Sequence, residues 1–227
     1  MSILIATPCF GGQQFEPYAA SMMLLKKELD VAGLPHDVMT ITKESLITRA
    51  RDVIAASFLR ETDYECLLFI DADIEFCPGD VAALWNLCWP GVSSPADVAV
   101  GCYRNKSPEA GRTAWVGGEL REVSDFKEPF EVDRAGTGFM MIRRQTFERL
   151  RTANPDWEYE EGFPEQKWNG ERGKAWAFFQ DPIVKWEDGS RYHLSEDYFF
   201  CHEVRKHGMR VIMDPDIHLK HWGLFPY

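Results

Sequence analysis

Two short, uninterrupted apolar runs, Ile3-Leu4-Ile5-Ala6 and Cys66-Leu67-Leu68-Phe69-Ile70, restrict the fold more than any other feature of the sequence. A strand without polar alternation is buried on both faces, as happens where helices cover both sides of a parallel sheet. The intervening sequence supplies such helices. Pro17 to Val31 carries Ala20, Met23, Leu24 and Leu29 at helical spacing and stops at Gly33. His36 to Ile41 reads as a second strand. Ser45 to Leu59 reads as a helix with Leu46, Ile47, Val53, Ile54 and Phe58 on its buried side. Strand, helix, strand, helix, strand implies a parallel α/β sheet. Pro78 opens another helix through Cys88, and Asp97 to Cys102 adds a strand. The first 103 or so residues thus read as a nucleotide-binding half.

Beyond about residue 104 the pattern changes. Thr113 to Val116, Glu119 to Val123 and Phe130 to Val132 are short segments suited to hairpins, so a mixed half covering 104–227 is expected. Phe139 to Ile142 follows as a core strand and Gln145 to Arg151 as a helix. Trp157 to Tyr192 is a long segment without periodicity, rich in aromatic and charged residues. Ser195 to His207 reads as a helix and Arg210 to Met213 as a short strand. At 227 residues, 45% hydrophobic, the chain is expected to fold as one domain.

A formal net charge of -11 argues against nucleic acid as a partner, because proteins that neutralise phosphate backbones gather Lys and Arg. If the ligand is an anionic diphosphate, local cations or a metal must offset that field. The six cysteines form no Cys-x-x-Cys pair and read as reduced thiols, and the regular spacing of Cys66, Cys77 and Cys88 reads as coincidence. With no leader-like or membrane-length apolar stretch, a cytoplasmic protein is expected.

Asp71-Ala72-Asp73 ends the second apolar run, and ligand crevices in open α/β sheets lie beyond the carboxyl ends of strands. In extended chain, residues two apart project to one side, so the two carboxylates would converge; a divalent cation relieves their repulsion. Gly136-Thr137-Gly138 permits a close backbone approach just before a core strand, although glycine pairs also mark ordinary bulges. Ser195-Glu196-Asp197 has the composition of a helix N-terminus, which capping alone would explain. Arg49 and Arg51 read equally as a solvated helix face. Trp157, Trp168, Trp176 and Trp186 suit either sugar stacking or packing under the long loop.

Taken in order, Ile5-Ala6-Thr7-Pro8, Leu46-Ile47-Thr48-Arg49-Ala50-Arg51, Asp71-Ala72-Asp73, Gly136-Thr137-Gly138-Phe139, Ser195-Glu196-Asp197 and His221-Trp222-Gly223 resemble the GT-A glycosyltransferases, in particular the small single-domain ones of bacteria, phages and large DNA viruses. The similarity is weakest over Lys106 to Asp133 and over Asn154 to Leu194. It implies a GT-A-like fold with a mostly parallel central sheet, a nucleotide-sugar-binding half and a mixed acceptor-binding half. It also implies transfer of a sugar from a UDP or GDP sugar to a hydroxyl of a glycan or other acceptor, with manganese or magnesium as cofactor.

Residue by residue, the resemblance gives Thr7, Pro8 and either Thr40 or Thr42 to the nucleoside, and Arg49 to the diphosphate. Gly136, Thr137, Gly138 and Lys106 are placed beside the donor. Asp73 matches the metal ligand, Asp71 a carboxylate on ribose or metal, and His221 the C-terminal metal ligand, with His218 competing for that role. Asp197, or alternatively Glu196, matches the general base of inverting members. Where such helices often continue Arg-Asn, this chain has Arg51-Asp52. A sugar nucleotidyltransferase is the alternative enzyme, but the loop Pro8-Cys9-Phe10-Gly11-Gly12-Gln13 lacks the basic residue that reading needs. A catalytically silent sugar-binding module is the non-enzymatic alternative; the accumulated Asp71, Asp73, Glu196, Asp197 and His221 speak against it.

Overall fold

The computed structural model describes residues 1–42, 44–104, 106, 111–160, 167–168, 171–185 and 189–223, with backbone alone at 167, 168, 171 and 172. In chain order the elements are β1 (Ile3–Pro8), α1 (Glu16–Ala32), β2 (His36–Ile41), α2 (Ile47–Glu61), β3 (Cys66–Ile70), β4 (Ile74–Glu75), α3 (Pro78–Cys88) and β5 (Val98–Gly101). Next come β6 (Thr113–Val116), β7 (Glu119–Glu122), β8 (Phe130–Glu131), β9 (Phe139–Arg143), α4 (Arg144–Ala153), β10 (Glu158–Glu160), β11 (Lys167–Trp168), β12 (Glu171–Arg172) and β13 (Lys174–Trp176). The chain closes with β14 (Ile183–Lys185), β15 (Arg191–His193), α5 (Glu196–Lys206), β16 (Val211–Asp214) and β17 (Lys220–His221).

Seven strands form the central sheet in the order β2-β1-β3-β9-β5-β16-β8. β1 runs parallel to β2 and β3, and β5 parallel to β16, while β9 lies antiparallel between the two groups. β8 pairs antiparallel at the edge. This is the mostly parallel, GT-A-like sheet expected. Alternate residues serve opposite faces: Leu4, Ala6, Leu67 and Phe69 join one core cluster with Ile54 and Phe58, whereas Ile3, Ile5, Leu68 and Ile70 join the other with Leu25 and Leu84. Burial on both faces explains the uninterrupted apolar runs. Gly33 ends α1 in the left-handed region, φ 64°, where glycine carries no Cβ penalty.

Two helix faces differ from expectation. The buried stripe of α1 is Tyr18, Ser21, Leu25 and Leu29, leaving Met23 and Leu24 exposed along with Ala20. In α2, Leu46 and Ile47 are exposed, and the buried face instead includes Arg51 and Asp52 beside Ile54 and Phe58. Hydrophobicity ranked these residues wrongly because both buried charges have partners that only the folded chain brings near.

The segment from Trp157 to Tyr192 is not one open loop: β10 pairs with β13 and β14 with β15. Trp157 and Trp176 pack against Phe178 in the core. The side chain of Trp168 and all of Trp186 lie outside the described residues. The six cysteines are free, five of them buried. Among the described residues no helix is long and apolar enough to cross a membrane.

Asp52 ties α2 to this segment. Its Oδ1 accepts the Phe179 amide at 2.9 Å, and Phe178 and Tyr159 donate to it as well. Burial nevertheless outweighs those donors and pushes its carboxyl up to about 8. The unfolded carboxyl ionises near pH 4 while the folded one keeps its proton to about 8, so this group costs stability progressively as pH rises through that window. Asp52→Asn removes the titration. The melting temperature of the wild type, measured relative to Asp52→Asn, is expected to fall by roughly 5–10 °C between pH 5 and pH 8. A pH-independent difference between the two proteins would show that Asp52 is ionised in the native state throughout.

Candidate active site

The carboxyl ends of β1 and β3 open onto a cleft of about 780 Å³ lined by Pro8, Phe10, Gln13, Arg51, Asp71 and Asp73, among others. This is the crevice that a doubly wound sheet leaves beyond its strand ends. Asp71 and Asp73 reach it through a turn, not through extended chain: the Ile74 amide closes on the Asp71 carbonyl at 3.1 Å. The two carboxylates consequently face different partners.

Asp71 is fixed by its backbone, whose amide donates to the Gly138 carbonyl at 3.0 Å, and by Arg51, whose Nη2 lies 3.3 Å from Oδ1. The Arg51 side chain is 4% exposed and its Nε also stands 3.6 Å from Glu196 Oε1. Arg51 therefore joins the end of β3 to the start of α5. Its Nε and Nη1 have no hydrogen-bond acceptor. Burial raises the Asp71 carboxyl, with Arg51 opposing and Asp73 adding to the rise; part of the Asp71 surface still reaches the cleft. Glu196 is likewise raised by burial against the pull of Arg51.

Asp73 faces the C-terminal segment. β17 pairs with β4, placing His221 opposite Ile74, and the Trp222 amide donates to the Asp73 carbonyl at 2.8 Å. Lys220 and the Trp222 indole both bind Glu75, so the tail is anchored on each side of His221. His221 Nδ1 donates to the Arg104 carbonyl at 3.0 Å, since a carbonyl can only accept, and Nε2 faces Asp73 Oδ1 at 3.5 Å. Lys106 sits on the other Asp73 oxygen. Burial would raise the Asp73 carboxyl, but His221 and Lys106 beside it hold it below its ordinary value. His218 turns away, exposed and paired with Arg112 at 2.9 Å.

The glycine pair is a matter of close approach. A Cβ on Gly136 would stand 2.3 Å from the Tyr103 hydroxyl, and one on Gly138 2.6 Å from it and 3.1 Å from Asp71 Oδ2. The Gly138 amide donates to that hydroxyl at 3.0 Å. Thr137 between them is buried, its hydroxyl unpartnered. A second cavity, about 400 Å³, is lined by Tyr103, Trp115, Arg134, Gly136, Asp197 and Tyr198, among others. Ser195 occupies the N-cap position of α5, but its hydroxyl goes to Asp197 and makes no cap bond to the backbone; Asp197 Oδ1 accepts the Tyr198 amide at 2.8 Å.

Not every expected residue comes to this place. Arg49 points elsewhere, paired with Glu44 at 2.5 Å on a more exposed face of α2, because two residues along a helix rotate the side chain through about 200°, just over a half-turn. Arg51 takes the buried position. The Thr7 side chain is fully buried with its hydroxyl 2.6 Å from that of Tyr18, so only Pro8 of the two lines the cleft. Thr40 is exposed opposite Thr7 on β2, and Thr42 lies beside Gly12. Among the described residues no three His, Cys, Asp or Glu side chains gather at metal-binding spacing: Asp73 and His221 face each other, while Asp71 is turned to Arg51. Tyr103, Trp115 and Arg134 belong to no motif of the sequence. The position of Tyr103 just past the end of β5 was the available signal, since the next parallel strand also points its carboxyl end at the crevice.

No family model and no curated protein sequence matches the chain. Among solved structures, A197 from STIV aligns over 98% of this chain and 86% of its own, with 18% identity and a TM-score of 0.53. A mutant Drosophila beta1,4-galactosyltransferase 7 in complex with manganese, UDP-Gal and xylobiose aligns over 98% of this chain and 71% of its own, at 14% identity and a TM-score of 0.47. The inositol-1-phosphate CTP transferase from T. maritima aligns over 98% and 89%, at 11% identity and the same TM-score of 0.47. The chain is thus a GT-A-like α/β domain, similar in fold over nearly its whole length to A197, with an arginine-bridged acidic cleft at the carboxyl ends of its central strands.

Proposed function

We propose that the protein is a metal-dependent glycosyltransferase that moves a sugar from a nucleoside diphosphate sugar to an acceptor hydroxyl. One observation carries this reading. Arg51 and Asp73, lining the same cleft, leave buried polar atoms of opposite character short of hydrogen bonds: Nη1 and Nε of the guanidinium, Nε having only the 3.6 Å approach of Glu196, and Oδ1 of the carboxylate, 3.5 Å from His221. Buried groups left unpaired are costly, and a diphosphate with its cation satisfies both kinds at once.

The residues present fit a divalent cation. His221 donates Nδ1–H to a backbone carbonyl, the arrangement that orients a ligating imidazole, and its Nε2 points at the orphaned Asp73 oxygen. Asp73 and His221 would hold the ion, and oxygen-plus-imidazole donors suit manganese or magnesium. When bound, the cation neutralises the diphosphate and stabilises charge on the departing nucleotide. Arg51 supplies a second fixed positive charge to the same end of the donor, and Lys106 a third.

Asp197 is assigned the base because it lines the second cavity, whereas Glu196 is held by Arg51. The acceptor hydroxyl gives its proton to the Asp197 carboxylate as its oxygen bonds to the anomeric carbon. The bond from that carbon to the diphosphate oxygen breaks, and its electron pair leaves with the nucleotide.

Calorimetric titration of UDP and GDP, each with and without manganese chloride, tests the donor side. Manganese is expected to strengthen nucleotide binding, and Asp73→Asn and His221→Ala to weaken the manganese-dependent part by at least about tenfold. His218→Ala should leave it unchanged. Equal affinity with and without manganese, or loss only in His218→Ala, would refute the metal assignment.

A further inference from the structure

We infer that the acceptor taken by the second cavity carries an oxyanion, a carboxylate or a phosphate, which Arg134 binds; this rests on the reading of that cavity as the acceptor site. The guanidinium of Arg134 lies 4.4 Å from the centre of the Trp115 ring and 5.5 Å from that of Tyr198. Stacked aromatic rings occupy the faces of a guanidinium and leave its in-plane N–H groups available. Among the described residues none of those groups has a hydrogen-bond or ion-pair partner, although the chain carries 36 acidic residues against 25 basic ones.

The carboxylates beside it in sequence and on the same cavity wall are already engaged. Asp133 binds Arg205 at 2.9 Å and the Gly118 amide, and Asp197 binds the Ser195 hydroxyl and the Tyr198 amide. Arg134 itself is held in place: its backbone bridges to Trp115, whose side chain hydrogen-bonds Tyr198. A cation so fixed at a partly buried cavity wall is preorganised for a planar, two-oxygen partner. The cavity, about 400 Å³, holds one sugar residue with a charged substituent, with Trp115 and Tyr103 supplying aromatic surface.

Binding of matched sugar pairs to the full chain, without nucleotide or metal, tests this by ligand-observed NMR and calorimetry. The probes are p-nitrophenyl β-glucuronide against p-nitrophenyl β-glucoside, and glucose 6-phosphate against glucose. The charged member of at least one pair is expected to bind about tenfold tighter or more, the scale of hydrogen bonds to a charged group, and the preference should shrink at high salt. The pair that shows it separates a uronate from a phosphorylated sugar. Arg134→Met should abolish the preference within the pair, and Arg134→Lys should keep part of it. Equal binding within both pairs, absence of binding by either charged probe, or an undiminished preference in Arg134→Met overturns the inference. Manganese-dependent nucleotide binding that survives such a result shows that the donor side of the function stands and only the acceptor chemistry was wrong.

Discussion

Asp197→Asn is expected to lower transfer by about a hundredfold or more while donor affinity and melting temperature barely change, the usual scale for losing a positioned base. The substitution keeps the shape of the side chain and an oxygen to accept the Tyr198 amide, so the start of α5 retains that local bond. What it loses is the capacity to take a proton. A purely structural role makes the opposite prediction: an earlier melt with the rate per folded molecule intact. Two features of the structure weaken that alternative. The Ser195 hydroxyl binds Asp197 and caps nothing, and Asp197 lines a cavity into which an acceptor fits. Glu196→Gln gives the internal comparison. Its carboxylate belongs to the Arg51 ion pair, so it should act mainly through donor binding and stability, not through the proton-transfer step. A larger rate loss in Glu196→Gln than in Asp197→Asn, at equal donor saturation, would exchange the two roles.

Arg51→Met is expected to destabilise the fold by about 2–4 kcal/mol near neutral pH. Removing one partner of a buried ion pair strands the other charge, and that loss is usually larger than the worth of the pair; here it is discounted because Asp71 and Glu196 keep some contact with solvent. The pH dependence identifies the mechanism. Burial already raises both carboxyls and Arg51 opposes that rise, so its removal raises them further. Carboxyls held above their unfolded values cost stability as pH climbs past about 4, so the deficit of Arg51→Met should grow toward pH 7 and shrink toward pH 4. Urea unfolding of both proteins across that range provides the measurement. Arg49→Met, two residues away, should cost no more than about 1 kcal/mol, because its pair with Glu44 lies nearer the surface. A pH-independent deficit in Arg51→Met would mean that lost packing on Phe69, over whose ring the guanidinium lies, accounts for the effect.

The sequence by itself determined the layering of this protein. Ile3 to Ala6 and Cys66 to Ile70 lack any polar alternation because helices cover both faces of the strands they form, and that requirement is local enough to read. The same local logic placed Asp71 and Asp73 at a strand end, stopped α1 at Gly33 and opened α3 at Pro78. Only the tertiary structure decided which charges are buried. On α2, hydrophobicity favoured Leu46 and Ile47 for the interior and treated Arg49 and Arg51 alike. The fold buries Arg51 and Asp52 because Asp71, Glu196 and the Phe179 amide, distant along the chain, arrive to meet them. The antiparallel insertion of β9, the return of β17 to β4 that carries His221 to Asp73, and the placement of Arg134 on Trp115 and Tyr198 share that character. Each depends on pairing between segments far apart in sequence, whose energy appears only once the chain has closed the loop between them.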